Sequence, residues 1–412
     1  MHNKIKILFI GEAVSLAHIS RPLVLADSLD KNVYELTFAC DPIYQKFVNQ
    51  YTGIAYVPLK SIAPEAFMKS LYYGKTIYTQ KTLHNYVKDD VALINSVNPD
   101  LIIGDFRVSL SISANICKKP FFALSNAHWS PYSENSYVAP ETIYNKFFGD
   151  SLSGFVFKYT YPMVFKLQAK PFNEVAKFYG QDTVSDIRDM YTRGGKVLYL
   201  DPSEMIHMST LPLHHHFLGP IIYSPKINEP IWLKDLKNSP NNIYATFGSS
   251  GLASMLPTVC KSILEAKCNA VITTANRVKV PENAKIKQAD FLPGELVLEH
   301  SLLAICNGGS ATVYQALSKG VPVIGIPQNL DQFLTMQTIE KNKLGIMLRP
   351  GQANTKTIKT GIEQILNDKT YTQNAQDSKH LFQNSSTLQR FHVLLSEFFR
   401  HELQNQFFKN VS

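Results

Sequence analysis

Two groups of residues in this 412-residue chain have the types and spacing for chemistry. The first lies within residues 306–332, CNGGSATVYQALSKGVPVIGIPQNLDQ. Gly308-Gly309 lets the backbone approach a ligand closely, because no Cβ stands in the way. Asn307 precedes the pair. Ser310 completes the turn, and Ala311 opens a helical stretch directly after it. The unpaired N–H groups and positive end of that helix therefore face the same spot. A pyrophosphate can be held there without a lysine. Gly248-Ser249, after another apolar run, offers further amides and a hydroxyl, or is a plain turn. Asp331-Gln332 end the stretch where open α/β sheets bind ligands. The second group is His18 and Asp105. His18 stands eight residues beyond an apolar run ending at Ile10, and Asp105 ends the apolar run 101–104. A His base works best with a carboxylate on its other ring nitrogen. The structural alternatives are a helix-capping His18 and an Asp105 that caps a helix starting near Ser109. His128, next to Trp129, is a rival base from another strand-end loop.

Short apolar runs of four to six residues, alternating with helical stretches, imply parallel sheets covered on both faces. In the first half, strands are expected at 4–10, 34–39, 101–104 and 121–124. A helix is expected from His18 to Leu29, with Pro22 near its first turn. The second half restarts the scheme. It has a strand at 242–247, a helix at 256–266 and strands at 270–274, 302–306 and 321–326. The helix at 311–319 stops at Gly320. Between the halves, residues 219–240 hold four prolines and read as a linker. The chain is helical from about residue 355 onward.

The signature stretch resembles that of UDP-dependent glycosyltransferases with the GT-B fold, in the family 1-like group of macrolide and plant enzymes. Gly308, Gly309, Ala316, Leu317, Gly320, Val321, Pro322, Pro327, Asp331 and Gln332 match the family pattern at fixed spacing. Asn307 stands where the family usually has a phosphate-binding His, and Gln315 where it has a ribose-binding Glu. Both can still hydrogen-bond. The stretch 17–22, followed by Leu25-Ala26, resembles the loop that carries the family's catalytic His. The strand ending at Asp105 resembles the one that carries its partner.

The resemblance implies an α/β protein with two Rossmann-like domains whose parallel sheets face a central cleft. Residues 1–218 would bind the acceptor and 241–385 the nucleotide-sugar. Residues 386–412 would return to the first domain. The implied reaction is inverting transfer of a hexose from UDP, or TDP, to a hydroxyl of an apolar small molecule or lipid. His18 would be the base and Asp105 its orienter. Gly248, Ser249, Asn307, Gly308, Gly309, Ser310, Ala311 and Gln315 would hold the nucleotide. Phe291 would stack on the base ring, unless it is a core residue. Asp331 and Gln332 would grip the sugar, and His128 and Trp129 would line the acceptor pocket. No Asp-x-Asp occurs, and no metal or cofactor is expected. A sugar-nucleotide epimerase of the same fold, or a non-catalytic nucleotide-sugar-binding protein, are the alternatives.

Composition sets limits. Hydrophobic content of 45% and charged content of 18% describe a folded globular protein. The net charge of +8 is scattered, which points away from nucleic acid and is compatible with an anionic membrane or a phosphate-bearing substrate. Five cysteines without a C-x-x-C fit a reducing cytosol. No apolar run is long enough to span a bilayer. A cytoplasmic protein is expected, with peripheral contact at the inner membrane face as an option. His214-His215-His216 lacks a fourth metal ligand at sensible spacing. Residues 121–179 hold sixteen of the 46 aromatics. That density implies a large apolar acceptor pocket or a membrane-contacting patch, or else a helical lid over the core.

Overall fold

The apolar runs become strands, and every strand pair is parallel. The computed structural model describes residues 4–225, 227–248 and 251–411, with only the backbone described at residue 146 and from 401 onward. The first sheet contains β1 (Ile5–Gly11), β2 (Tyr34–Cys40), β3 (Ile54–Pro58), β4 (Leu101–Asp105), β5 (Phe121–Ser125), β6 (Lys196–Tyr199) and β7 (His215–Phe217). Their order is β3-β2-β1-β4-β5-β6-β7. The second contains β8 (Asn242–Thr246), β9 (Asn269–Thr273), β10 (Ile286–Ala289), β11 (Ser301–Cys306), β12 (Val323–Gly325) and β13 (Gly345–Met347), in the order β10-β9-β8-β11-β12-β13.

In each sheet the winding reverses once. β1 pairs with both β2 and β4, and β8 with both β9 and β11. Ligands of open α/β sheets bind at the carboxyl ends of the strands flanking such a reversal. His18 follows β1 and Asp105 ends β4. Gly248 follows β8 and Asn307 follows β11. Both candidate groups therefore sit at the switch points of their sheets.

The sequence reading missed β3, β6, β7, β10 and β13. β3 reads Ile-Ala-Tyr-Val-Pro but is only partly buried, and β7 reads His-His-Phe and shows no apolar run. β12 is shorter than the run 321–326 implied. Pro22 also sits deeper than expected. The helix begins at Ala17, which puts Pro22 in its second turn. A proline there cannot bond the carbonyl four residues back, and that carbonyl belongs to His18.

Residues 219–240 are less free than a linker composition implies. Ile221 and Ile222 are buried, and a 3-10 helix at Ile231–Asn238 buries Leu233 and Leu236. The last helix, Asn384–Val411, returns to the first sheet, where Phe391, Leu394 and Leu395 join the core of Phe9, Phe38 and Leu124. Each such side chain contributes roughly 1.5–3 kcal/mol by leaving water. Asn384 fixes the crossing by exchanging two 2.7 Å hydrogen bonds with the backbone of Ile222. All five cysteines are free thiols. Among the described residues no helix is long and apolar enough to cross a membrane.

Candidate active site

A cavity of about 830 Å³ separates the two sheets. His18, Asp105, Asn126 and Trp129 line it from the first domain, and Gly248, Asn307, Gly309, Ser310, Ala311, Gln315, Asp331 and Gln332 from the second. Ser249 lies outside the described residues.

The His18 imidazole Nδ1 is 2.8 Å from Oδ1 of Asp105. A proton on Nδ1 makes that bond and leaves Nε2 as the free base. Asp105 is fully buried and His18 retains 19% side-chain exposure, so the carboxylate stands behind the ring. Gly11 permits this closeness, since a Cβ there would meet the His18 carbonyl at 2.6 Å. Asp105 does not cap the following helix, whose N-cap Ser109 makes no side-chain cap bond.

Two residues of this centre escaped the sequence reading. Arg21, one helical turn after His18, donates from Nε to Oδ2 of Asp105 at 2.8 Å and from its terminal nitrogen to Oδ1 at 2.7 Å. Burial opposes the charge on Asp105, but Arg21 and His18 outweigh it and hold the carboxyl below its usual range. Phe106 stacks on His18 with ring centres 4.5 Å apart and planes 14° off parallel. Its φ of 61° is rare for an aromatic residue. Such strain persists where the surroundings enforce it. Here they do, because the next residue, Arg107, is locked in a buried cluster with Glu12 and Asp90. The i,i+3 spacing puts Arg21 on the helix face of His18, but nothing in the sequence joins it to Asp105 or marks the backbone of Phe106.

The network continues across the cleft. Arg21 donates to Asn126 Oδ1 at 2.7 Å, and Asn126 donates to Asp201 at 2.8 Å. Tyr314, on the helix Ser310–Ser318 of the second domain, donates to the same Asp201 oxygen at 2.6 Å. Burial and the neighbouring Asp201 push the Tyr314 phenol far above its usual value, so it stays protonated and donates.

The glycine loop after β11 is organised by Asn307, whose Oδ1 accepts from the Gly309 N–H at 3.3 Å. The two glycines differ. Gly308 has φ 74° and would push a Cβ to 2.6 Å from Met336, so the fold requires it. Gly309 has ordinary angles, and a Cβ there meets nothing closer than 3.5 Å. Gly309 thus opens the cavity wall, whereas Gly308 shapes the turn. Gln315 donates to the Tyr223 carbonyl at 2.8 Å and to Ser224, which turns its amide nitrogen toward residues 223–224. Phe291 lies apart from the cavity wall, with Lys46 of the first domain 5.1 Å above its ring.

Asp331 bridges the domains. His128 Nε2 and Trp129 Nε1 each lie 2.8 Å from its Oδ1. Burial works against its charge, but these bonds hold Asp331 well below the usual carboxylate range. His128 is 1% exposed. Its Nδ1 is buried, and the ring does not line the cavity, against the expected place in the acceptor pocket, so it offers no base there. Gln332 caps its own helix, its Oε1 accepting from the Gln328 N–H at 2.8 Å, so its amide nitrogen is the group left for a ligand. Of the triple histidine, His215 and His216 lie on β7 and His214 just before it, and His215 pairs with Tyr199 at 2.7 Å. Burial, aided by His214 and His216, pushes His215 down to about 4.

Residues 261–384 match the family described as erythromycin biosynthesis protein CIII-like, C-terminal domain. The chain is 36% identical over 374 residues to the PGL/p-HBAD biosynthesis glycosyltransferase of Mycobacterium tuberculosis (strain ATCC 25177 / H37Ra), covering 90% of this chain and 87% of that one. It is equally similar to the PGL/p-HBAD biosynthesis rhamnosyltransferase of Mycobacterium bovis (strain BCG / Pasteur 1173P2), over 82% of that chain. Two solved structures share the fold at 16% identity. The calicheamicin glycosyltransferase CalG4 matches with a TM-score of 0.68, over 97% of this chain and 98% of that one. The spinosyn rhamnosyltransferase SpnG complexed with thymidine diphosphate matches at 0.62, over 92% and 96%. The epimerase and non-catalytic alternatives give way to these likenesses. Two parallel α/β domains, a returning C-terminal helix and relatives of this identity and coverage place the chain in the GT-B glycosyltransferases of the family 1-like, macrolide type, and it is a glycosyltransferase.

Proposed function

We propose that this enzyme moves a hexose or deoxyhexose from a pyrimidine nucleoside diphosphate, UDP or TDP, to a hydroxyl of an apolar acceptor, with inversion and without a metal. The observation that carries this reading is the facing pair of groups in one cavity. His18 backed by Asp105 stands on one wall, and the Gly309–Ser310 helix start on the other.

In this scheme His18 Nε2 takes the acceptor's hydroxyl proton. The acceptor oxygen attacks the anomeric carbon from the side opposite the diphosphate. The bond from that carbon to the diphosphate oxygen breaks, and configuration inverts. The amides at Gly309 and Ser310, with the helix's partial positive charge of roughly half a unit, meet the charge gathering on the departing diphosphate. Asp331 keeps Oδ2 for a sugar hydroxyl. Phe67, Phe106, Trp129, Phe157 and Phe165 line the remaining wall, which supports an apolar acceptor. The relatives named for PGL/p-HBAD and rhamnosyl transfer, and the thymidine diphosphate complex, support a deoxyhexose and TDP alongside UDP.

The test is incubation with UDP-glucose or TDP-rhamnose and a long-chain alkylphenol in EDTA, with the glycoside read by mass spectrometry. Product of inverted configuration at an undiminished rate in EDTA is expected. Loss of rate restored by magnesium or manganese contradicts the metal-free scheme, and retained configuration contradicts the single displacement.

A further inference from the structure

Among the described residues, twenty large hydrophobic side chains are exposed, and ten of them lie on the helix Ile143–Phe178. So uneven a distribution calls for a local cause. The helix, kinked at Gly149, divides different work among its residues. Phe165, Phe172 and Val175 pack into the core. Phe148, Leu152, Val156 and Val164 line the cavity at its mouth. Phe155, Tyr159 and Met163 do not line it and are 63%, 67% and 60% exposed.

At about 100° per residue these three fall within an arc of ~80°. Lys166, Lys170 and Lys177, all exposed, fall on the same arc further along. From residue 151 to 178 there are four lysines, at 158, 166, 170 and 177, against the single acid Glu174, a local net charge of +3 (4 minus 1). An exposed apolar row continued by lysines places, on one strip of surface, groups that suit acyl chains and groups that suit headgroup phosphates. The rings sit among the acyl chains and the ammonium groups meet the headgroup phosphates.

We propose that this face of the helix docks on the surface of an anionic lipid bilayer, setting the mouth of the acceptor cavity against the membrane. The charge selects the occupant. A second copy of the chain would bring the same lysines against each other, whereas an anionic bilayer neutralises them. That the acceptor enters from the bilayer rests on the transfer reaction proposed above; the docking does not, and its test needs no turnover.

The test is co-sedimentation of the full chain with vesicles of phosphatidylcholine and phosphatidylglycerol in equal parts, and with phosphatidylcholine alone. Binding to the mixed vesicles is expected, weakened at least about tenfold by raised salt or by omitting the anionic lipid. Phe155→Ser with Tyr159→Ser should lose binding by on the order of tenfold or more while the thermal midpoint stays, because both side chains are exposed. Lys166→Gln with Lys170→Gln should lose the preference for anionic vesicles. Failure of the wild type to sediment with mixed vesicles overturns the proposal, as does wild-type sedimentation of the serine variant. A dimer in light scattering that the serine changes dissolve would assign the face to a second copy instead.

Discussion

The hydroxyl of Tyr314 donates to Asp201 across the cleft at 2.6 Å. Tyr314 lies on the helix that starts at the glycine loop, and Asp201 is joined through Asn126 and Arg21 to the carboxylate behind His18. One hydrogen-bonded chain thus connects the two halves of the proposed reaction centre. Tyr314→Phe should raise the donor KM several-fold with a smaller change in kcat, because it loosens the approach of the domains and leaves His18 in place. It should also cost about 1–3 kcal/mol of stability, the usual range for a buried bond to a charged group. Steady-state kinetics and a denaturant titration check both parts, and an unchanged KM would remove the coupling role.

The two glycines of the donor loop should respond differently. Gly309→Leu has room to fold and would fill the space left for the diphosphate. Calorimetry should show UDP or TDP binding lost in a protein of normal thermal midpoint. Gly308→Ala meets Met336 and a strained φ, so its loss should appear as lower stability. Wild-type nucleotide affinity in folded Gly309→Leu would misplace the site.

Asp331 is held by two groups from the opposite domain. His128→Ala removes one of them and should raise the donor KM while leaving most of kcat. Double-mutant analysis with Asp331→Asn should be non-additive, because the pair acts through one contact.

Acid stability tests the Asp105 site. Its folded pKa is depressed below the ordinary value of 3.8 by Arg21 and His18, against burial. The stability it contributes is therefore fully present above the unfolded value and is lost as pH falls through the lower folded one. Asp105→Asn, which leaves Arg21 buried without its partner, should cost about 3 kcal/mol or more near neutrality. The gap from wild type should narrow as pH drops below about 4. A gap that stays constant across that window would mean the folded pKa is not depressed.

How much of this was legible in the sequence follows from the range of each interaction. The glycine loop and its helix are contiguous, so residues 306–332 disclosed them directly. His18 and Asp105 are 87 positions apart, yet one opens the helix after its short run and the other ends its own, and strand ends at a switch point converge. Arg21 was hidden because its role depends on Asp105, 84 positions away. The clasp on Asp331 joins residues separated by more than 200 positions and two domains. No local pattern carries such information. Phe291 has the spacing of a base-stacking ring, but its neighbour Lys46 comes from the other domain. The many aromatics of residues 121–179 had three readings. The structure divides them between core, cavity wall and solvent, and helical periodicity makes that division.

The central claim is that His18, held by Asp105, takes the acceptor's proton. The most direct measurement is the single-turnover transfer rate of His18→Ala beside that of His128→Ala, both saturated with donor and acceptor. A positioned base is worth roughly 10²–10⁴-fold. The account predicts a loss of that order for His18→Ala with nucleotide binding intact, and a far smaller loss for His128→Ala. Near-normal transfer by His18→Ala, with His128→Ala inactive, would contradict it.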